Sequence, residues 1–175
     1  MLKALFSILG VVALTAAFLL STTQANPVEI GTDAPKVKAV DQDGKTVDFG
    51  EVYKKNLTLV YFYPKADTPG CTKEACSLRD AFAKLAEKGI TVLGVSMDKP
   101  EAQKAFKEKY NLPFTLIADE GGKVVNAFGV PVNRLSFPSR QSFLIDKSGK
   151  IVWRDLNAST DQQAADVLAA AAALK

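Results

Sequence analysis

The sequence predicts an α/β domain in which a mixed central β-sheet is flanked by helices and preceded by an N-terminal β-hairpin. Three observations carry this. Between residues 57 and 128, short apolar runs alternate with helical patterns, the order that builds a parallel sheet core. Two later runs, 140–146 and 151–155, are joined by Lys147-Ser148-Gly149, a hairpin signature that adds antiparallel strands. Near the start of the domain, runs 37–40 and 46–49 flank the turn Asp41-Gln42-Asp43-Gly44.

Taken in order, residues 57–63 form an almost unbroken apolar and aromatic run, as expected for a central strand covered on both faces. Pro64 and the turn Thr68-Pro69-Gly70 end it. From 71 to 88 the pattern is helical, with Cys71, Ala75, Leu78, Phe82 and Leu85 on one stripe and Gly89 closing the helix as a C-terminal cap. Residues 91–96 read as the next strand and 100–110 as the next helix, with Pro100 in its first turn. A short strand at 114–117 and a helix of about two turns over 123–128 follow. The last helix is expected to start at Ser159, with Gln162 completing a capping box, and to run to Leu174. Tyr61, Phe62, Tyr63 and Trp153 read as core and pocket lining, and Arg79 and Asp80 as solvated helix charges.

The chain has 175 residues. Its start joins Lys3 to an apolar run from Ala4 to Leu20, then to small and polar residues ending at Ala25. That is the pattern of an export signal, with the cut expected after Ala25 and a retained membrane anchor as the alternative. Export to the periplasm or an equivalent compartment follows from either. Residues 26–175 then form one domain, long enough to bury a core without staples. Removing residues 1–25 takes away one cation, Lys3, and leaves 21 basic against 19 acidic residues. So balanced a surface points to no nucleic-acid partner, and to no membrane surface unless the N-terminal segment is retained. There is no histidine. This excludes Ser-His-Asp and Cys-His nucleophiles, imidazole general bases and histidine metal sites, while two cysteines alone cannot hold a structural zinc.

Cys71 follows a turn directly and opens a helix, where free backbone N–H groups and the helix dipole favour thiolate over thiol. Thr68, three residues earlier, can donate a hydroxyl to a thiolate or a bound oxygen. Pro69 fixes the turn and shields the sulfur, and Gly70 lets backbone approach closely. Cys76 stands five residues on, about 140° round an ideal helix, which puts the two Cα atoms about 8.6 Å apart. A disulfide tolerates only ~7 Å, so these thiols bond only if the helix start unwinds. The residues alone leave three readings open: a prepared nucleophile with its partner, a structural staple of an exported protein, or a thiol–disulfide exchange site.

The run from Val60 through Pro64, Thr68, Pro69 and Cys71 to Thr72, with Cys76 and Leu78-Arg79-Asp80, resembles the peroxiredoxins, in particular their bacterioferritin-comigratory or Q-type subgroup. The likeness extends from Gly31-Thr32-Asp33-Ala34-Pro35, through residues 92–96 and Asp98, to Ser142-Phe143-Leu144-Ile145-Asp146, nearly the whole domain. It implies a thioredoxin-like fold, and reduction of hydrogen peroxide and organic hydroperoxides without metal or organic cofactor. It makes Cys71 the peroxidatic and Cys76 the resolving cysteine, paired in an intrachain disulfide that a thioredoxin-like or other dithiol reduces. Thr68 and Pro69 fall on the family's active-site pair, and Arg140 on the arginine that faces the sulfur. Most soluble members lack an export signal, so the usual cytosolic reductant does not carry over. A monomer is expected from the intrachain cysteine pair.

Overall fold

The computed structural model describes residues 26–174; the expected signal segment, 1–25, lies outside the described residues. Seven strands form one mixed sheet in the order β2-β1-β5-β4-β3-β6-β7. They are β1 (Lys38–Asp41), β2 (Thr46–Asp48), β3 (Leu57–Phe62), β4 (Ile90–Ser96), β5 (Thr115–Ala118), β6 (Gln141–Ile145) and β7 (Ile151–Asp155). β3, β4 and β5 run parallel, and β6 and β1 join them antiparallel on either side. The expected hairpin is β1–β2, paired Lys38 to Asp48 and Val40 to Thr46, and it extends the sheet beyond β5.

Alternation along β3 divides the core. Leu59, Tyr61 and Tyr63 point into one cluster with Cys71, Ala75 and Leu78. Val60 and Phe62 point into the other, with Val95, Phe128 and Phe143. The first cluster is covered by α2 (Pro69–Asp80), α3 (Phe82–Glu87), α4 (Pro100–Lys109) and α6 (Gln163–Ala173), the second by α1 (Phe49–Tyr53) and α5 (Lys123–Ala127). Leu59, Val60, Tyr61 and Phe62 are all fully buried, as a strand covered on both faces requires. At roughly 1.5–3 kcal/mol for each large apolar side chain, β3 is a main source of cohesion. Gly94 opposes Tyr61 across the parallel pair. A Cβ there would stand 2.7 Å from the Tyr61 hydroxyl and 2.8 Å from Leu116 Cδ2, so only glycine lets that ring lie across β4.

Several elements depart from the sequence expectation. The single helix of 71–88 is two: α2 starts two residues earlier, with Pro69 in its first turn, and the chain breaks at Ala81 (φ −93°, ψ 3°) before α3. Residue 49 opens α1 rather than ending a strand, because the Asp48 side chain accepts from the Glu51 N–H and caps the turn. The final helix begins at Gln163. The Ser159 hydroxyl still accepts from the Gln162 N–H at 3.2 Å, but it closes a turn that precedes the helix. Gly89 ends α3 with φ +66°, as its place after the helix requires. The parallel strands β3, β4 and β5 all end at the same edge of the sheet, where an open α/β fold places its site.

Candidate active site

Cys71 is delivered by the short segment between β3 and α2. Thr68 is the N-cap of α2, Pro69 stands in its first turn, and no acidic residue occupies that turn to oppose a negative charge. The Cys71 side chain is 2% exposed and belongs to the first core cluster. Both thiols are free, and α2 runs unbroken through them. That is the arrangement helix geometry demands, since an intact helix holds the pair beyond bonding range.

Arg140 sits at the residue before β6 and reaches over the start of α2. Its Nη2 donates to Cys71 Sγ at 3.5 Å, and its Nη1 donates to the Glu74 carboxylate. Gly70 lies beneath it: a Cβ there would stand 3.4 Å from that Nη2, in ordinary contact. The guanidinium is thus fixed against a sulfur at the start of α2, in a chain that has no histidine.

Glu74 is a site residue the sequence reading missed. It is fully buried, one turn along α2 from Cys71, and pairs with a guanidinium only 17% exposed. Burial pushes its carboxyl up to about 8, and Arg140 draws it part of the way back. For Arg140, burial works against the charge, but the Glu74 and Cys71 partners raise its pKa further. The available signal was an acid in the apolar stripe, three residues after Cys71 and one before Ala75. Glu74 Oε1 and the Tyr61 hydroxyl are buried without a hydrogen-bond partner among the described residues. Burial raises the Tyr61 phenol well above its ordinary value, and the neighbouring Tyr63, Glu74 and Cys71 add to it. The ring beside Cys71 is therefore a neutral wall, stacked on Tyr63 with centroids 5.4 Å apart. Of the aromatics expected as core and pocket lining, Tyr61 and Tyr63 share the Cys71 cluster, whereas Phe62 lies on the opposite face.

Thr68 differs in detail from expectation. Its hydroxyl donates to the Lys65 carbonyl at 3.1 Å, so its oxygen is left to accept rather than to donate to the sulfur. Arg79 is partly solvated as well as anchored: besides its contact with the exposed Asp80 it donates to the Tyr110 carbonyl at 2.9 Å, tying α2 to the end of α4. Cys76 is half-buried and opens on a groove of about 620 Å³ between α2 and α6, lined also by Ala81, Ala164 and Leu168. Lys73 and Asp161 bridge that groove at 2.9 Å.

Residues 30–154 match the model of the AhpC/TSA family. The chain is 44% identical over 125 residues to the chloroplastic peroxiredoxin Q of Gentiana triflora, an alignment covering 71% of this chain and 57% of that one. It is 42% identical to a putative peroxiredoxin bcp of Coxiella burnetii, covering 72% of this chain and 88% of that one. The chain thus spans a little under three fifths of its first plant relative and most of the bacterial one. Among solved structures, the peroxidoxin BcpB of Mycobacterium tuberculosis superposes with a TM-score of 0.79 at 31% identity, covering 83% of this chain and 97% of that one. A PrxQ mutant of Xylella fastidiosa shares the fold at 23% identity, with a TM-score of 0.76 over 82% of this chain and 95% of that one.

Proposed function

The chain belongs to the AhpC/TSA family, and from that premise we propose that it is a peroxiredoxin of the Q type, a thiol-dependent peroxidase acting through Cys71. The observation that carries this reading is the Arg140 guanidinium held 3.5 Å from a buried sulfur at the start of α2. Such a donor pair serves a nucleophile and the charge developing on a breaking O–O bond together. A structural staple would need neither.

The reaction runs in three steps. The Cys71 thiolate attacks the terminal oxygen of the hydroperoxide, the O–O bond breaks with the hydroxyl staying on sulfur, and the departing hydroxide or alkoxide takes a proton from solvent and leaves as water or an alcohol. Arg140 and the free N–H groups of α2 hold the oxygens in line, while the Thr68 oxygen accepts from the peroxide O–H. While Glu74 holds its proton, the charge of Arg140 is left to the sulfur and the peroxide. Cys71 is then a sulfenic acid. Next, the start of α2 unwinds, the Cys76 thiolate attacks the sulfenic sulfur, and hydroxide leaves as the disulfide forms. The break at Ala81 supplies an end to the unwound stretch, with α3 anchored in the core by its own Leu85. Last, an external dithiol, thioredoxin-like or other, reduces the disulfide and is itself oxidised by two electrons.

Hydrogen peroxide and organic hydroperoxides are the proposed substrates, and the domain is proposed to work as a monomer without metal or organic cofactor. The apolar run of residues 4–20 and the small residues up to Ala25 support an exported protein. Peroxide consumption by purified protein with a generic dithiol tests the assignment. Cys71→Ser should abolish it, and Cys76→Ser should allow one turnover and then stall. A Cys71→Ser protein that still consumes peroxide, or a wild type that reduces protein disulfides and ignores peroxide, would overturn the reading.

A further inference from the structure

The segment that presents Cys71 has no regular structure between Tyr63 and Thr68, yet it is fixed from outside. The Ala66 N–H donates to Asp98 Oδ2 at 2.8 Å, across thirty-two residues of chain. The same oxygen accepts from the Ser96 hydroxyl at 2.7 Å. Ser96 in turn accepts from Gln103 Nε2 at 2.8 Å, and that amide nitrogen also donates to the Ile117 carbonyl at 2.9 Å. The Tyr63 hydroxyl donates to Gln103 Oε1 and completes the chain. Hydrogens from Tyr63, α4 and β4 therefore point one way and end on a single carboxylate oxygen beside the cysteine turn, and bonds so aligned reinforce one another. Ser96 and Gln103 are fully buried, so the acceptor is set in a rigid frame, while Asp98 itself is half-buried, two residues beyond the end of β4. A second, exposed clip holds the next residue: Asp67, at φ +56°, is bound by Lys109 Nζ at 2.7 Å and by the Tyr110 hydroxyl at 2.7 Å.

We propose that Asp98 is a positioning residue for Cys71, its carboxylate holding the Ala66 backbone and so the entry of α2 where the sulfur meets Arg140. This rests on the peroxidase reading above. Between Ala66 and Cys71 stand only four residues, one of them Pro69, so a shift at Ala66 has little slack in which to dissipate. A displacement of about 1 Å at a reacting centre costs on the order of a hundredfold in rate. The role is geometric: what counts is an acceptor oxygen at that point, not a charge.

Three variants separate position from charge, each read by the second-order rate of Cys71 oxidation in a single turnover with hydrogen peroxide. Asp98→Asn keeps an acceptor oxygen and should stay within about threefold of wild type. Asp98→Glu keeps the charge but moves the acceptor by one methylene, and Asp98→Ala removes it; both should lose roughly tenfold or more. Far-UV circular dichroism establishes that each variant is folded, and Asp98→Glu serves should Asp98→Ala fail that check. Wild-type rates in Asp98→Glu or Asp98→Ala, or an Asp98→Asn protein as slow as Asp98→Glu, would overturn the proposal. A wild type inert to peroxide would instead overturn the peroxidase reading itself.

Discussion

Replacing Glu74 by glutamine should change how stability depends on pH, and the size follows from the site. In the unfolded chain this carboxyl titrates near 4.5, whereas burial holds it at about 8 in the folded protein, even with Arg140 drawing it down. The folded form therefore keeps a proton that the unfolded form releases once the pH passes the lower value. Stability falls as pH rises through that window, by about 1.4 kcal/mol for each pH unit. Between roughly pH 5 and pH 7.5 the loss comes to about 3 kcal/mol, a large share of a typical 5–15 kcal/mol total. Glu74→Gln carries no such proton and keeps an oxygen for Arg140. Urea unfolding of both reduced proteins across that range should show the wild type losing about 3 kcal/mol more than the variant. Parallel curves, or a wild type that gains on the variant with rising pH, would refute the reasoning and show that Arg140 holds Glu74 ionised.

Arg140→Met should slow peroxide-dependent oxidation of Cys71 by roughly a hundred- to a thousandfold, the usual cost of losing one transition-state donor. Stopped-flow single-turnover kinetics measure it, and Arg140→Lys should recover only part, since one ammonium cannot face both Cys71 and Glu74 as a planar fork does. Gly94→Ala should destabilise the fold by about 1–3 kcal/mol in denaturant titration, because its Cβ meets Tyr61 and Leu116 inside ordinary contact. Oxidation by one equivalent of peroxide should lower far-UV helical signal by up to the twelve residues of α2, and added dithiol should restore it.

How much of this was legible in the sequence differs from element to element. The central strand is plain, because a strand buried on both faces must be apolar at nearly every position, and in residues 57–63 Thr58 alone interrupts the apolar and aromatic run. The break at Ala81 was not, because the stripe Cys71, Ala75, Leu78, Phe82, Leu85 keeps helical spacing across it. The short α1 rests on one Asp48 cap, which a strand-like pattern over 46–49 conceals. At the site, Cys71 and its helix entrance could be argued from local turn chemistry, but Arg140 was placed by family resemblance, since no local pattern marks a residue before an edge-side strand. Glu74 went unnoticed because its partner lies sixty-six residues away, and a buried acid makes sense only once that partner is known. The Asp98 contact to Ala66 is likewise non-local. Local turn chemistry makes the Thr68 hydroxyl a donor to a thiolate or a bound oxygen; in the structure the Lys65 carbonyl, three residues back, takes that hydrogen.

Peptide mapping by mass spectrometry, before and after one equivalent of hydrogen peroxide, bears most directly on the role given to Cys71. The account predicts two free thiols at the start, and afterwards a peptide pair joined from Cys71 to Cys76 and lighter by two hydrogens. Thiols untouched by peroxide, or a link already present in reduced protein whose α2 is intact, would contradict it.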